Sequence, residues 1–242
     1  IGGGTPTFVE FENIARLMEL IEPYVNKDGE ITIECNPGTI TREAVKAYKR
    51  MGINRVSVGL QAWQDELLKV LGRIHNQRDF LNTYYILRDG GFENISVDLM
   101  FALPGQTLDM WEETMVNICK LQPEHISTYA LILEESTPIC SMIKSGELAI
   151  PDEDQDREMY HLAKDIFKGY GYNQYEISNF AREGFECLHN LIYWRNEEYL
   201  GLGVGSHSKI GGKRFWKEKN LHEYIELIHK GKSPVIGSEI ID

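Results

Sequence analysis

Residues 95–100 read Ile95-Ser96-Val97-Asp98-Leu99-Met100, apolar side chains alternating with Ser96 and Asp98. A period of two is the signature of a β-strand, so this run predicts a strand with a carboxylate set within it. Upstream, Asp79–Leu87 and Asp65–Leu71 carry helical spacing, and Arg55-Val56-Ser57-Val58-Gly59-Leu60 alternates again. Downstream, Leu108–Leu121 is helical and His125-Ile126-Ser127-Thr128-Tyr129-Ala130-Leu131 is a further strand. Nearer the start, helical Phe11–Ile21 leads to a connection closed at Gly29, alternating Glu30–Glu34, and a helix over Thr41–Met51 closed at Gly52. Strand and helix thus alternate at intervals of about thirty residues, which calls for a parallel sheet covered by helices. The expected fold class is α/β, a partial TIM-like (β/α) barrel.

From Pro151 the pattern changes to a helix over Asp154–Tyr170, glycine-rich segments, a short strand over Lys213–Trp216 and a helix over Leu221–Lys230. This reading divides the chain into a partial barrel, residues 1–150, and a C-terminal α+β extension, residues 151–242.

The 242 residues are 42% hydrophobic and 26% charged, enough apolar content for a sizeable core. A net charge of -12 argues against nucleic acid or anionic membrane surfaces as general partners and favours small molecules or proteins. No apolar run reaches the ~18–20 residues of a membrane span and no signal peptide is evident, so a cytoplasmic location without an integral membrane segment is expected. Cys35, Cys119, Cys140 and Cys187 form no C-x-x-C pair and read as buried thiols. Ile1-Gly2-Gly3-Gly4-Thr5-Pro6 has neither a helix cap nor the rest of a strand ahead of it, so a truncated chain is expected.

Each β-α unit places polar or bare residues near its strand end: Gly2–Gly4, Glu34, Gln61, Asp98 and Tyr129. In a parallel barrel these ends share one rim, the face where barrel enzymes hold their ligands. Singly, each has another explanation. Glu34 can cap the turn Asn36-Pro37-Gly38, Asp98 can neutralise a basic neighbour, and the glycines can form a turn. Glu34 and Asp98 as a carboxylate pair also leave a barrel hydrolase open as a third alternative.

Five segments in order, G-G-G-T-P at 2–6, E-C-N-P at 34–37, S-V-G-L-Q at 57–61, L-G-R-I-H at 71–75 and V-D-L-M-F-A-L-P-G-Q-T at 97–107, carry a family resemblance. They resemble the S-adenosylmethionine (SAM) radical enzymes of the oxygen-independent coproporphyrinogen III oxidase-like group. The resemblance implies a radical SAM type of barrel that binds SAM. By that likeness Gly3, Gly4 and Thr5 hold the methionine end, with backbone carbonyls toward its ammonium, and Arg73 pairs with its carboxylate. Glu34, Gln61 and Asp98 hold the ribose hydroxyls or the ammonium, while Tyr129 and Ala130 line the adenine side. The alternative for Arg73 is a solvated arginine at a helix end. The family's three-cysteine loop lies upstream of the glycines, and none of the four cysteines here matches it. The likeness therefore implies a [4Fe–4S] cluster in a full-length protein, with no cluster ligand in this chain.

Glu176-Ile177-Ser178-Asn179-Phe180-Ala181, His189-Asn190-Leu191-Ile192-Tyr193-Trp194 and Tyr199–His207 resemble the haem chaperone branch of that group. They imply that His189 ligates haem, with Tyr193 and Trp194 offering faces to the macrocycle. Alternatives are a structural histidine beside a core tryptophan, or a metal site from Cys187, His189 and His207. The run Gly201–Ser206 lacks the G-K-[ST] ending of a phosphate loop and reads as tight backbone packing. Two functions follow from the resemblance: a haem chaperone handing haem to an acceptor protein, or a coproporphyrinogen III oxidase acting on a porphyrinogen in porphyrin biosynthesis. No residue is assigned a catalytic role.

Overall fold

The computed structural model describes residues 1–241 apart from residues 27 and 136. In chain order the first elements are α1 (Phe11–Ile21), β1 (Thr32–Cys35), α2 (Arg42–Arg50), β2 (Arg55–Gln61), α3 (Asp65–Val70) and α4 (Gln77–Asp89). Next come β3 (Ile95–Phe101), α5 (Leu108–Leu121), β4 (His125–Ala130), α6 (Pro138–Lys144), α7 (Glu153–Gly169), β5 (Asn173–Gln174) and β6 (Asn179–Ala181). Last are α8 (Leu188–Trp194), β7 (His207–Ile210), β8 (Lys213–Lys217), α9 (Leu221–His229) and β9 (Val235–Ile240).

The helices start where side chains can satisfy their orphan amides. Thr41 accepts from the Ala44 N–H at 3.2 Å ahead of α2, and Thr107 does the same for Met110 at 3.2 Å ahead of α5. Asn76 with Asp79 and Asp152 with Gln155 form reciprocal capping boxes on α4 and α7. Each such cap stabilises by roughly 1 kcal/mol.

Strands β1 to β4 lie side by side and parallel, and β6 then β5 extend the sheet antiparallel in the order β1-β2-β3-β4-β6-β5. Ile1 adds to the outer edge of β1, its carbonyl accepting from Glu34 N–H at 3.0 Å and its amine donating to Thr32 O. Among the described residues this sheet stays open, the partial barrel expected. Val56, Val58, Leu60, Ile95, Val97, Leu99 and Ile126 show no exposure and pack in one core with the helices, each burial worth roughly 1.5–3 kcal/mol. Strand alternation sends Glu34, Arg55, Ser57, Ser96, Asp98, His125, Ser127 and Tyr129 to the opposite face, so one side of the sheet is apolar and the other polar.

The chain divides into two compact units, Ile1–Glu186 and Cys187–Asp242. The change of pattern at Pro151 falls inside the first unit, where Trp111 Nε1 of α5 donates to Met159 O of α7 at 2.9 Å and β6 pairs with β4. The second unit holds the antiparallel sheet β7-β8-β9 with α8 and α9. Its middle strand is the one expected at 213–216; β7 and β9 are short or weakly alternating and escaped the sequence pattern. No described helix is long and apolar enough to cross a membrane.

Candidate functional site

The glycine segment and Glu34 form one feature. Gly3 N–H donates to Glu34 Oε2 at 3.1 Å, and a Cβ on Gly2 would stand 2.6 Å from Glu34 Oε1. Gly2 therefore lets the carboxylate lie against the chain. At Gly3 and Gly4 a Cβ would meet open space, and the demand for glycine comes from their φ of +88° and +73°. Thr5 Oγ1 accepts from Asn36 Nδ2 at 2.7 Å, tying the segment to the turn after β1.

Gln61 ends β2 in the left-handed region at φ 71°, where the β2–β3 register shifts. Its amide folds back to donate to Gly59 O at 2.7 Å and Leu60 O at 3.1 Å. A Cβ at Gly59 would come within 2.7 Å of that amide, so a side chain there would have to displace the folded-back Gln61. A non-glycine residue in this conformation stores strain of the kind that collects at binding sites.

Asp98 sits half-buried on the polar face of β3. Ser57 Oγ reaches both its oxygens at 3.0 Å and Ser96 Oγ lies 3.5 Å from Oδ1. Burial raises its pKa, while bonds from Ser127 and Ser57 and the charge of Arg55 pull the other way. Glu34 adds a repulsive charge, which places the two carboxylates in one field.

Arg73 is carried to this rim by the end of α3. Gly72, at φ +69°, turns the chain so that Gly72 N–H bonds Lys69 O at 3.0 Å and Arg73 N–H bonds Leu68 O at 2.9 Å, a left-handed helix stop. The guanidinium is half-buried; burial lowers its pKa and the charge of Asp98 raises it.

Tyr129 is 44% exposed as a residue, yet its hydroxyl lies deep enough that burial raises its pKa, followed by the charge of Asp98, against hydrogen bonds with Asn179 and Ser127. Asn179 of β6 is itself bonded to Glu176. Ala130 is next in β4 and turns to the helix side, where it packs on the main core, leaving only its backbone toward a ligand on the Tyr129 face. Glu34, Gln61, Arg73, Asp98 and Tyr129 thus gather at the strand ends. Ser57, Ser127, Glu176 and Asn179 join them, and the signal for the serines was their parity with Asp98.

The second unit presents a different feature. His189 and Tyr193 stand one turn apart on α8, their rings edge to face with centroids 4.8 Å apart, and Tyr193 meets Tyr199 at 4.6 Å. Trp194 is 56% exposed, and His207 stacks on Trp216 rather than on the α8 aromatics. The four cysteines are buried and none forms a disulfide, and no three metal-ligating side chains gather among the described residues. The residues present therefore do not fit an iron–sulfur cluster.

Residues 1–117, which carry the glycine segment, Glu34, Gln61, Arg73 and Asp98, match the Radical SAM superfamily. These residues resemble a radical SAM domain. The likeness implies SAM and a [4Fe–4S] cluster. Across that stretch and beyond it, the chain is 42% identical over 231 residues to the heme chaperone HemW of Bacillus subtilis (strain 168), covering 94% of this chain and 61% of that protein. It is 38% identical over 228 residues to heme chaperone HemW of Lactococcus lactis subsp. lactis (strain IL1403), covering 93% of this chain and 60% of that one. The chain thus spans about three fifths of the length of these curated relatives. In structure it superposes on coproporphyrinogen III oxidase (HemN) from Escherichia coli, a radical SAM enzyme, with a TM-score of 0.86. That match covers 100% of this chain and 58% of the other at 24% identity, a likeness of fold.

Proposed function

We propose that this chain is the SAM-binding and haem-binding part of a haem chaperone built on the radical SAM scaffold. The observation that carries the reading is similarity to heme chaperones over 93–94% of the chain, which takes in both the strand-end rim and the α8 segment His189–Trp194. The rim fits SAM in its chemistry. Arg73 offers a fork to the methionine carboxylate, Gly3, Gly4 and Thr5 bring bare backbone to the ammonium, and Glu34 and Asp98 accept from ribose hydroxyls. Gln61 presents what its folded-back amide leaves over, and Tyr129 with the backbone of Ala130 flanks the adenine. A [4Fe–4S] cluster held by thiolates outside these residues would supply one-electron chemistry, while the residues of this chain bind and orient SAM. The cluster's thiolates are assigned outside these 242 residues, and haem is assigned to His189 with Tyr193 and Trp194. An acceptor protein and a cytoplasmic setting complete the proposal. The oxidase alternative is supported by likeness of fold alone.

The test uses the haem-loaded full-length protein. His189→Ala should shift or abolish the Soret band while SAM affinity stays within about 0.5 kcal/mol, as for independent sites. An unchanged spectrum and haem affinity would return His189 to a structural role and make His207 the next ligand to examine. Turnover of coproporphyrinogen III to protoporphyrinogen IX by the wild type would overturn the chaperone reading.

A further inference from the structure

Arg55 opens β2 and shares the polar face with Ser57, away from Val56. It is 4% exposed, and its Nε is buried with no hydrogen-bond partner among the described residues. A desolvated guanidinium is strongly disfavoured unless an acceptor reaches it. Its neighbours are occupied elsewhere. Asp98 receives Ser57 at 3.0 Å on each oxygen and Ser96 at 3.5 Å, so it acts on Arg55 through its charge rather than as a paired acceptor. His125 commits Nδ1 to Ser96 Oγ at 2.8 Å and Nε2 to the Tyr175 hydroxyl at 2.7 Å. Thr32, opposite Arg55 in the β1–β2 register, donates its hydroxyl to Glu30 at 3.3 Å.

We infer that Arg55 anchors a carboxylate-binding site on the polar face of the first unit's sheet. The rigid fork of a guanidinium matches the two oxygens of a carboxylate, and the Arg55 Nε–H is the donor left without an acceptor. The charge must be a single one. Asp98 and Glu34 share this face and repel a dianion, which disfavours phosphate. The carboxylate belongs either to a small free acid or to an acidic side chain of a larger ligand such as a tetrapyrrole. The inference does not depend on the SAM or haem assignments, because it stands on Arg55 and its neighbours alone.

The experiment follows the Arg55 Nε–Hε resonance of 15N-arginine-labelled protein, identified by its loss in Arg55→Lys, during titration with sodium propionate. Methyl propionate and sodium chloride at matched ionic strength are the controls. A saturable shift with propionate, absent with the ester and with chloride, is expected, together with a propionate-dependent rise in Tm that Arg55→Gln loses. Should Arg55→Gln fail to fold, Arg55→Lys keeps the charge without the fork and should bind propionate at least tenfold more weakly. Displacement of propionate by protoporphyrin IX but not by its dimethyl ester would support the site with a tetrapyrrole propionate as occupant. No displacement by either, with propionate still saturable, would support it with a small acid as occupant. A resonance indifferent to propionate, or moved equally by chloride, would overturn the site and leave Arg55 solvated by buried water.

Discussion

The Ser57 hydroxyl lies 3.0 Å from each carboxylate oxygen of Asp98, joining β2 to β3 on the polar face of the sheet. That contact partly offsets the burial that holds the Asp98 pKa above its ordinary value of 3.8. Because the folded carboxyl keeps its proton more tightly than the unfolded one, the native state loses stability as pH rises through that window. Asp98→Asn should therefore raise Tm at pH 7, with the gain shrinking as pH falls toward 4, even as it weakens SAM binding. Thermal melts across pH check this; a variant less stable than wild type at pH 7 would show that the Arg55 charge outweighs burial. Ser57→Ala should push the Asp98 titration higher still, read by carboxyl 13C shifts.

Gly2 and Gly3 separate two reasons for glycine. Gly2→Ala puts a methyl 2.6 Å from Glu34 Oε1 and must displace that carboxylate. In the full-length protein it should weaken SAM binding about tenfold, within the range for a lost charged hydrogen bond. Gly3→Ala meets no atom but keeps φ +88°, so it should destabilise by about 1–2 kcal/mol in urea unfolding. Equal SAM affinity in Gly2→Ala and wild type would detach Glu34 from the site.

The alternation of Val56, Val58 and Leu60 with Ser57, and of Val97 and Leu99 with Asp98, made the parallel sheet and its polar face readable, because one strand residue in two must face each side. Asn179 has no such signal in its own neighbourhood. Its strand β6 has three residues, too few for periodicity, and it reaches β4 by an antiparallel return that no local pattern announces. The segment 189–194 likewise carries its helix in the spacing of His189 and Tyr193, but seven residues give α8 little periodic signal. Arg55 was legible as a strand residue; its lack of a partner depends on what surrounds it in space.

Burial pushes the thiol of Cys35 up to about 11 and that of Cys119 up to about 12, and Cys140 and Cys187 are buried too. Thiolate is the nucleophile, and at pH 8 the ionised fraction of Cys35 is on the order of 10⁻³. Iodoacetamide should leave the native chain unmodified over an hour and alkylate all four cysteines in denaturant, as mass spectrometry would record. Rapid native labelling of Cys35 or Cys119 would mean that the core around β1 or α5 opens far more readily than its packing implies.

Arg88 on α4 donates to Glu124 Oε1 at 2.9 Å, to Gln122 O at 3.0 Å and to the Tyr84 hydroxyl, while Glu124 Oε2 accepts the Ile95 amide at 2.9 Å. The pair is mostly buried, with side-chain exposures of 25% and 15%. Removing one partner strands the other charge and a β3 amide, so Glu124→Ala should cost about 3 kcal/mol in urea unfolding. The exposed pair Arg42–Asp89, at 3.1 Å, is the control: Asp89→Ala should cost under about 0.5 kcal/mol. Similar losses in both would remove burial as the cause.

His125 is completely buried at the start of β4, with both ring nitrogens engaged by Ser96 and Tyr175. Burial first, and then the charge of Arg55, holds its pKa well below 6.5. The folded imidazole is therefore neutral where the unfolded one takes up a proton, so its contribution is complete above pH 6.5 and is lost as pH falls below it. This group alone sets a slope of up to about 1.4 kcal/mol per pH unit until the folded imidazole itself titrates. His75, whose pKa burial also lowers, adds a slope of the same sign. Unfolding free energies measured between pH 7 and 5 should fall more steeply in wild type than in His125→Gln, whose amide carries no titratable proton, and His75→Gln should flatten the remainder separately. Tyr175→Phe, which removes the partner of Nε2 and leaves the imidazole buried, should lower stability while keeping the slope. If His125→Gln matched the wild-type slope, the imidazole would not be held neutral, and the polar face of the sheet would be wetter than the packing around Arg55 and His125 requires.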